Sequence, residues 1–254
     1  MSGRALSWEG CVNVRDLGPL PAAGSARTRP GVVVRADNVR RLTEAGWERA
    51  LRYGVRRVVD LRFPGEEPGE PDVHAEVEVV AVSLFGEHDP TREAAFDDRA
   101  RAGDDMAATF AELYVDVLEE HGARIAEAVT AVAESGGAVV VHCAAGKDRT
   151  GLVSALLLSL AGVPDDEVVA DYALSGPNVA RLFGGWVAEA ADDPAEHDLR
   201  TRLLQSPETA MRTVLGRLRE LGGAETYLRS AGVEATALRR LRARLTSTRS
   251  AWSD

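Results

Sequence analysis

One short segment constrains this chain more than any other part of it. Residues 138–151 read AVVVHCAAGKDRTG, and the first four of them are apolar and mostly β-branched. That composition predicts a buried strand. The apolar run from Leu152 to Leu160 that follows has helical character. The segment therefore predicts a strand, a tight loop and the start of a helix, with Cys143 opening the loop and Arg149 closing it.

A loop at this point of the chain is suited to binding an anion. A helix N-terminus presents unpaired N–H groups and a partial positive charge, and a curl of successive N–H groups above it forms an anion nest. Such a site suits a phosphate-like or vanadate-like anion. Gly146 would let the loop take a positive φ angle, and the planar fork of Arg149 matches two phosphate oxygens. The predicted phosphate-binding residues are Ala144, Ala145, Gly146, Lys147, Asp148 and Arg149.

Cys143 would lie in the same electrostatic field as the bound anion. A position of this kind can lower a thiol pKa from about 8.5 to between roughly 3.5 and 7.5, so the thiolate would be present at neutral pH. The hydroxyl of Thr150 is close enough in sequence to donate to the sulfur and make it a better leaving group. These residues indicate phosphoryl transfer to Cys143 followed by hydrolysis. His142 is predicted to brace the loop or to tune the thiol, because its side chain leaves the strand on the opposite face.

The pattern His-Cys-x5-Arg-Thr-Gly resembles the signature loop of the cysteine-dependent protein tyrosine phosphatases. The longer sequence HCAAGKDRTG is similar to a bacterial branch, the PtpB-like tyrosine/serine phosphatases, some of which also accept phosphoinositides. The resemblance implies the cysteine phosphatase fold, with Cys143 as the nucleophile and Arg149 as the phosphate clamp. Two further elements, NVRDLG at 13–18 and DYALS at 171–175, resemble motifs of the same branch, although Gly176 stands where the branch often has Asn.

Hydrolysis of a phosphate ester also needs an acid that protonates the leaving oxygen. Asp60 belongs to a DLR element that recurs in the resembled family, at the end of a predicted strand over 55–62. Ligands gather at the carboxyl ends of strands in open α/β sheets, which favours this residue. Asp148 lies inside the loop itself. The sequence leaves both candidates open, and either carboxylate could instead have a purely structural role.

Other interpretations of the loop fit less well. A Walker A motif needs G-x-x-x-x-G-K-[ST], but Val141 stands at the first Gly position and Asp148 at the Ser/Thr position. A rhodanese-like sulfurtransferase also begins an anion loop with cysteine, but it requires neither the preceding His nor Arg-Thr-Gly at this spacing. Two alternatives remain beside a protein tyrosine or dual-specificity phosphatase. One is a phosphoinositide phosphatase, favoured by the charge of Lys147, and the other is a phospho-ligand binding module without turnover.

Composition narrows the class of protein further. The net charge of −10 disfavours nucleic-acid binding. The two cysteines, Cys11 and Cys143, give no disulfide framework and fit a reducing cytoplasm. We expect no signal peptide, no membrane span, no metal and no cofactor. The expected partner is a phosphoprotein or phosphoinositide substrate.

The order of apolar segments predicts the architecture. Strands alternate with helices, which indicates an α/β protein with a central, mainly parallel sheet flanked by helices and with added C-terminal helices. We find no repeat and no linker, so we expect one catalytic domain over 1–254. A third strand is predicted over 77–84. The acidic segment 86–105 is predicted to be a solvated excursion or a lid, and the aromatic residues of 177–204 suggest a helical lid over the site.

Overall fold

The structure, a computed structural model, describes residues 3–67, 71–103 and 105–247. Its strands are β1 Arg15–Asp16, β2 Arg27–Thr28, β3 Val33–Ala36, β4 Val55–Asp60, β5 Glu78–Ala81, β6 Ala138–His142 and β7 Thr246–Ser247. Five of them form a central sheet in the order β1-β3-β6-β4-β5. The pairs β3–β6, β6–β4 and β4–β5 are parallel, and β1 is antiparallel to β3. The mainly parallel α/β architecture is confirmed.

The central strands form because they are buried on both faces, as expected of parallel strands covered by helices. Along β6, Val139 and Val141 pack into the larger apolar cluster, and Ala138 and Val140 pack into a smaller cluster on the other face. Cys143 continues the first of these faces. Each central strand therefore contributes to two apolar layers, which fixes its register.

Two predicted strands are shorter than expected. The strand predicted over 55–62 ends at Asp60, and the strand predicted over 77–84 covers only Glu78–Ala81. Asp60 ends β4 because one of its carboxylate oxygens accepts a hydrogen bond from the N–H of Arg62, 3.2 Å away. A side chain that bonds the backbone two residues on favours a turn over a continued strand.

Helices cover both faces of the sheet. They are α1 Glu44–Arg52, α2 Pro90–Arg101, α3 Met106–Glu120, α4 Gly122–Glu134, α5 Asp148–Leu160, α6 Asp165–Ala173, α7 Ser175–Leu182, α8 Gly184–Ala188, α9 Pro194–Leu203, α10 Glu208–Glu220, α11 Gly223–Ser230 and α12 Ala235–Leu245. Thr43 caps α1 as predicted, because its side chain accepts from the N–H of Gly46. Within the part of the chain described, no helix is both long and apolar enough to cross a bilayer.

The segment 86–105 contains a helix that the sequence did not predict. Asp89 caps α2 by accepting from the N–H groups of Thr91 and Arg92, and Pro90 stands at its first position. The helix packs through Phe96, whose ring centroid lies 5.8 Å from that of Phe110 on α3. A capped, packed helix replaces the expected solvated excursion.

Candidate active site

The signature loop, residues 143–149, joins the end of β6 to the start of α5. Because α5 begins at Asp148, both Asp148 and Arg149 lie in the first turn of the helix. The strands β3, β4 and β6 are parallel and end side by side, so Asp37, Asp60 and Cys143 come to the same edge of the sheet. The central placement of β6 positions the loop in the middle of that edge.

The loop is held so that its carbonyl groups face outward. The carbonyl of Ala144 accepts from the N–H of Asn38 at 3.1 Å. The side-chain amide of Asn13 donates to the carbonyls of Ala145 and Gly146 at 3.0 and 3.2 Å. In a trans peptide the C=O and the following N–H point in opposite directions. The N–H groups of residues 145–147 therefore point toward the inside of the loop, as an anion nest requires.

Gly146 is the residue that allows this curl. Its φ angle is +67°, a region that L side chains rarely adopt. A Cβ atom at this position would lie only 2.5 Å from the carbonyl oxygen of Ala36. Backbone conformation and space both require glycine here.

The thiol of Cys143 lies under the loop. Its residue is 2% exposed, and it is a free cysteine. The buried hydroxyl of Thr150 has no hydrogen-bond partner among the described residues. The expected bond from Thr150 to the sulfur is therefore not present in this structure.

His142 braces the loop as a neutral imidazole. Its Nδ1 lies 3.2 Å from the carbonyl oxygen of Cys143. A carbonyl can only accept, so Nδ1 carries the hydrogen. Burial lowers the pKa of His142 to about 4. The ring is therefore uncharged at neutral pH, and its other nitrogen lies 3.5 Å from a carboxylate oxygen of Asp60.

Arg149 is held by a carboxylate that the sequence did not reveal. Its Nη1 and Nη2 atoms donate to the two carboxylate oxygens of Glu66 at 2.5 and 2.7 Å. Its guanidinium carbon also lies 5.7 Å from the ring centroid of Phe63 and 5.5 Å from that of Phe85. Burial alone would lower the pKa of Arg149. The bonds to Glu66 and the negative charge of Cys143 outweigh that effect and raise it.

The pairing with Glu66 leaves donors free on Arg149. A guanidinium carries five N–H groups, of which Glu66 occupies two. The remaining N–H groups can bind an anion while the carboxylate fixes the orientation of the fork. Glu66 lies in the segment PGEEPGEP, whose composition is that of a solvated loop. The only sequence signal for Glu66 was its position just after a strand that ends at the site.

The two candidate acids occupy different surroundings. Asp148 accepts a hydrogen bond from the hydroxyl of Tyr114, and Lys147 Nζ lies 3.4 Å from the same oxygen. Burial and the charge of Asp148 raise the pKa of Tyr114, so this hydroxyl stays a donor. Asp60 instead accepts from Nε and Nη2 of Arg62, both at 2.9 Å. Burial would raise the pKa of Asp60, but the hydrogen bonds and charge of Arg62 lower it overall.

A cavity of about 580 Å³ opens beside the signature loop. The aromatic residues that line it are Phe63, Phe85, Phe96 and Phe110, and Lys147, Asp148 and Arg149 contribute from the loop. Three of the basic side chains of the lining are paired with acidic ones: Arg92 with Glu120, Arg99 with Glu112 and His88 with Glu93. The lining is therefore aromatic, with an arginine at the loop and a rim on which acidic side chains, Glu87, Asp89 and Asp116 among them, outnumber the basic ones. Asp60 is not part of it.

The ammonium group of Lys147 forms its hydrogen bonds inside the protein. Its Nζ donates to the carbonyls of Leu203 and Gln205 at 2.6 and 3.0 Å, and it lies 4.1 Å from the ring centroid of Phe110. Burial lowers the pKa of Lys147. The sequence-based expectation that Lys147 adds free positive charge beside the pocket is not supported, because this ammonium group is bonded to backbone and to Asp148.

The helices predicted as a lid form one side of the site. Leu203, at the end of α9, lines the cavity. The α9 helix also contacts α2, where Arg101 Nη1 donates to Glu196 at 2.8 Å. A lid function for 177–204 and a single catalytic domain over 1–254 stay predictions. Among the described residues, no group of His, Cys, Asp and Glu could hold a metal ion.

A cysteine at the end of a central parallel strand, an amide nest and an arginine on the next helix define the class of cysteine-dependent phosphatases. Comparison with known sequences gives the family. A model described as the tyrosine phosphatase family matches residues 6–247. The chain belongs to this family, and it is a phosphoric monoester hydrolase of the protein tyrosine phosphatase type. The predicted family is confirmed.

Individual relatives agree with this assignment. The chain is 30% identical over 238 residues to a tyrosine-protein phosphatase of Nostoc commune, covering 89% of this chain and 78% of the relative. It is also 30% identical over 196 residues to the triple specificity protein phosphatase PtpB of Mycobacterium tuberculosis, covering 68% of this chain and 70% of that protein. The matches extend well beyond the signature loop.

Proposed function

We propose that this enzyme removes phosphate from phosphotyrosine side chains of proteins through a phospho-cysteine intermediate at Cys143. The observation that supports phosphotyrosine as the substrate is the cavity of about 580 Å³, which has four phenylalanines in its lining and Arg149 beside them. An aromatic ring entering this cavity would contact ring faces and edges, which stabilise it beyond simple burial. A phosphoserine side chain has no ring to make these contacts, so it would bind less well.

The proposed reaction has two steps. In the first, the thiolate of Cys143 attacks phosphorus, the P–O bond to the tyrosine breaks, and an acid gives the leaving oxygen its proton. In the second, water attacks phosphorus, its proton returns to the same residue, and the P–S bond breaks to release inorganic phosphate. The inward N–H groups of the loop and the fork of Arg149 would stabilise the negative charge in both transition states.

We assign the acid to Asp148. It lines the cavity, whereas Asp60 does not. Asp60 also accepts two hydrogen bonds from Arg62, which lower its pKa and favour the ionised carboxylate over the protonated acid. Asp60 would then serve to fix the side chain of Arg62. Because a thiolate nucleophile has to stay reduced, we also propose that the enzyme works in a reducing compartment such as the cytoplasm.

The assignment predicts different pH–rate profiles for two variants. Asp148→Asn is expected to lower kcat for a phosphotyrosine peptide by about 100-fold and to remove the basic limb of the profile. Its effect on p-nitrophenyl phosphate should be smaller, because nitrophenolate leaves without a proton. Asp60→Asn is expected to keep the basic limb. Loss of that limb in Asp60→Asn, with its retention in Asp148→Asn, would reverse the assignment.

The substrate class is tested with a panel of esters. We expect kcat/KM for a phosphotyrosine peptide to exceed that for the matching phosphoserine peptide by at least about tenfold, and that for a phosphoinositide by more. We expect the low value for the phosphoinositide because the ammonium group of Lys147 is bonded internally and basic side chains of the rim are paired with acidic ones. Cys143→Ser is the control for each substrate. Equal or higher values for the phosphoinositide would overturn the substrate proposal, and binding of phosphopeptide without turnover would indicate a binding module.

A further inference from the structure

A buried group of charges lies outside the lining of the cavity, against the signature loop. We call it the arginine cluster: Arg4, Arg15, Arg35 and Asp171. The three arginines all bond the one carboxylate, at 2.7 Å for Arg4, 3.1 Å for Arg15 and 2.7 Å for Arg35. All four residues are buried. Within these four residues, three guanidinium groups share one carboxylate.

The charges of the cluster shift the pKa values of its own members. Burial, together with the charge of Arg35, lowers the pKa of Arg15 to about 10. Burial would raise the pKa of Asp171, but the charges of the three arginines lower it instead. Removing one partner from a buried network of charges affects the partners that remain.

Arg35 connects the cluster to the signature loop. It lies on β3, beside β6, and is 1% exposed. Its Nη2 donates to the carbonyl of Gly146 at 2.7 Å and lies 3.4 Å from the carbonyl of Lys147. Its Nη1 bonds Asp171. One guanidinium thus bridges a fixed carboxylate and two successive carbonyls of the loop.

We propose that Arg35 is a positioning residue for the phosphatase reaction. Anchored by Asp171, it holds the carbonyls of Gly146 and Lys147 outward, so the N–H groups of Lys147 and Asp148 converge on the phosphate. It also adds positive charge beneath the loop that carries Cys143. The inference rests on the proposed function for its link to turnover. Its effects on the thiol and on phosphate binding can be measured without turnover.

The test compares Arg35→Met, which removes the charge and the donors, with Arg35→Lys, which keeps the charge. Arg244→Met is the matched control, because Arg244, like Arg35, donates to backbone carbonyls, but to those of Val132, Ala133 and Gly137, outside the signature loop. All variants are made in a Cys11→Ser background, so that iodoacetamide alkylation reports on Cys143 alone. The measurements are the pH dependence of alkylation, the inhibition constant for inorganic phosphate, and kcat/KM for p-nitrophenyl phosphate.

In Arg35→Met we expect alkylation of Cys143 at neutral pH to slow by about tenfold, because less positive charge then lies beside the loop that carries the thiolate. We expect kcat/KM to fall by about 10- to 100-fold, as when residues that orient a reacting group are removed. The phosphate inhibition constant should rise by about tenfold. Arg35→Lys should restore the alkylation rate of Cys143 but not phosphate binding, because an ammonium group cannot bridge the same acceptors on Asp171 and the loop. Arg244→Met should change none of these values.

A folded Arg35→Met protein whose alkylation rate at Cys143 and inhibition constant for phosphate match those of Arg244→Met would overturn the proposal. The cluster would then be only structural. If Arg35→Met does not fold, Arg35→Lys tests the proposal in its place. The proposal then requires the inhibition constant for phosphate to rise by at least about threefold in Arg35→Lys. The ionisable groups near Cys143, which include His142, Lys147 and Arg149, are unchanged in every variant. Absence of Cys143-dependent turnover in the parent protein would instead contradict the proposed function, and the thiol and phosphate measurements would still decide the role of Arg35.

Discussion

Replacement of Cys143 by serine is expected to lower kcat by roughly 10⁵-fold with every phosphate ester, because a serine hydroxyl beside the amide nest has no base to ionise it. The nest itself is unchanged by the substitution, since its carbonyls are bonded to Asn13, Asn38 and Arg35 rather than to the sulfur. Phosphate should therefore still bind with an inhibition constant within a few-fold of the parent value. The measurement is steady-state turnover together with phosphate binding by calorimetry.

The matched control is Cys11→Ser. Burial raises the pKa of Cys11, and its thiol lies 3.4 Å from the carbonyl oxygen of Asn38, so it remains a protonated, packed side chain. Its replacement should leave turnover within a few-fold of the parent. A rapid acid quench during turnover should also trap phosphate on the parent protein and on Cys11→Ser, but not on Cys143→Ser. Retention of turnover in Cys143→Ser to within about tenfold of the parent would refute covalent catalysis by this thiol.

The signature loop could be predicted from sequence because all of its signals are local. The strand, the glycine with a positive φ angle, the cysteine and the helix start lie within 138–151, so short-range rules apply to each of them. The mainly parallel sheet followed from the alternation of strands and helices in the same way. The helix α2 carries few apolar residues, and its signal was too weak to detect.

The residues that meet the loop from distant parts of the chain could not be predicted. Glu66 has the sequence surroundings of a solvated acidic loop, and only the packed structure brings it to Arg149. For Lys147, in contrast, the sequence suggested a role in the pocket that the structure does not support. Its charge seemed available to a ligand, but two carbonyls near residue 204 bind it. In both cases the role of a charged side chain depends on partners more than 50 residues away, which no local pattern encodes.

Replacement of Arg149 by lysine is expected to lower kcat/KM for a phosphotyrosine peptide by about 10³-fold. Lysine keeps the charge but not the planar fork, so it cannot bind two phosphate oxygens while also bonding Glu66. Burial disfavours the ionised carboxylate of Glu66, and Arg149 offsets that effect in the parent protein. In Arg149→Lys the carboxylate would instead face the phosphate and repel it. The inhibition constant for phosphate should rise in parallel. Arg52→Lys, at an exposed arginine on α1 that is paired with Glu48 and lies outside the cavity lining, is the control and should change kcat/KM by less than about threefold.

A double variant separates orientation from repulsion by Glu66. If Glu66 acts only by orienting the fork of Arg149, Glu66→Gln alone should lower kcat/KM by about tenfold, and it should have no further effect once Arg149 is lysine. If repulsion dominates in Arg149→Lys, adding Glu66→Gln should recover about tenfold of the lost activity, because a neutral amide no longer repels phosphate. An Arg149→Lys enzyme within about tenfold of the parent would show that the fork is not needed for the transition state, whatever the role of Glu66.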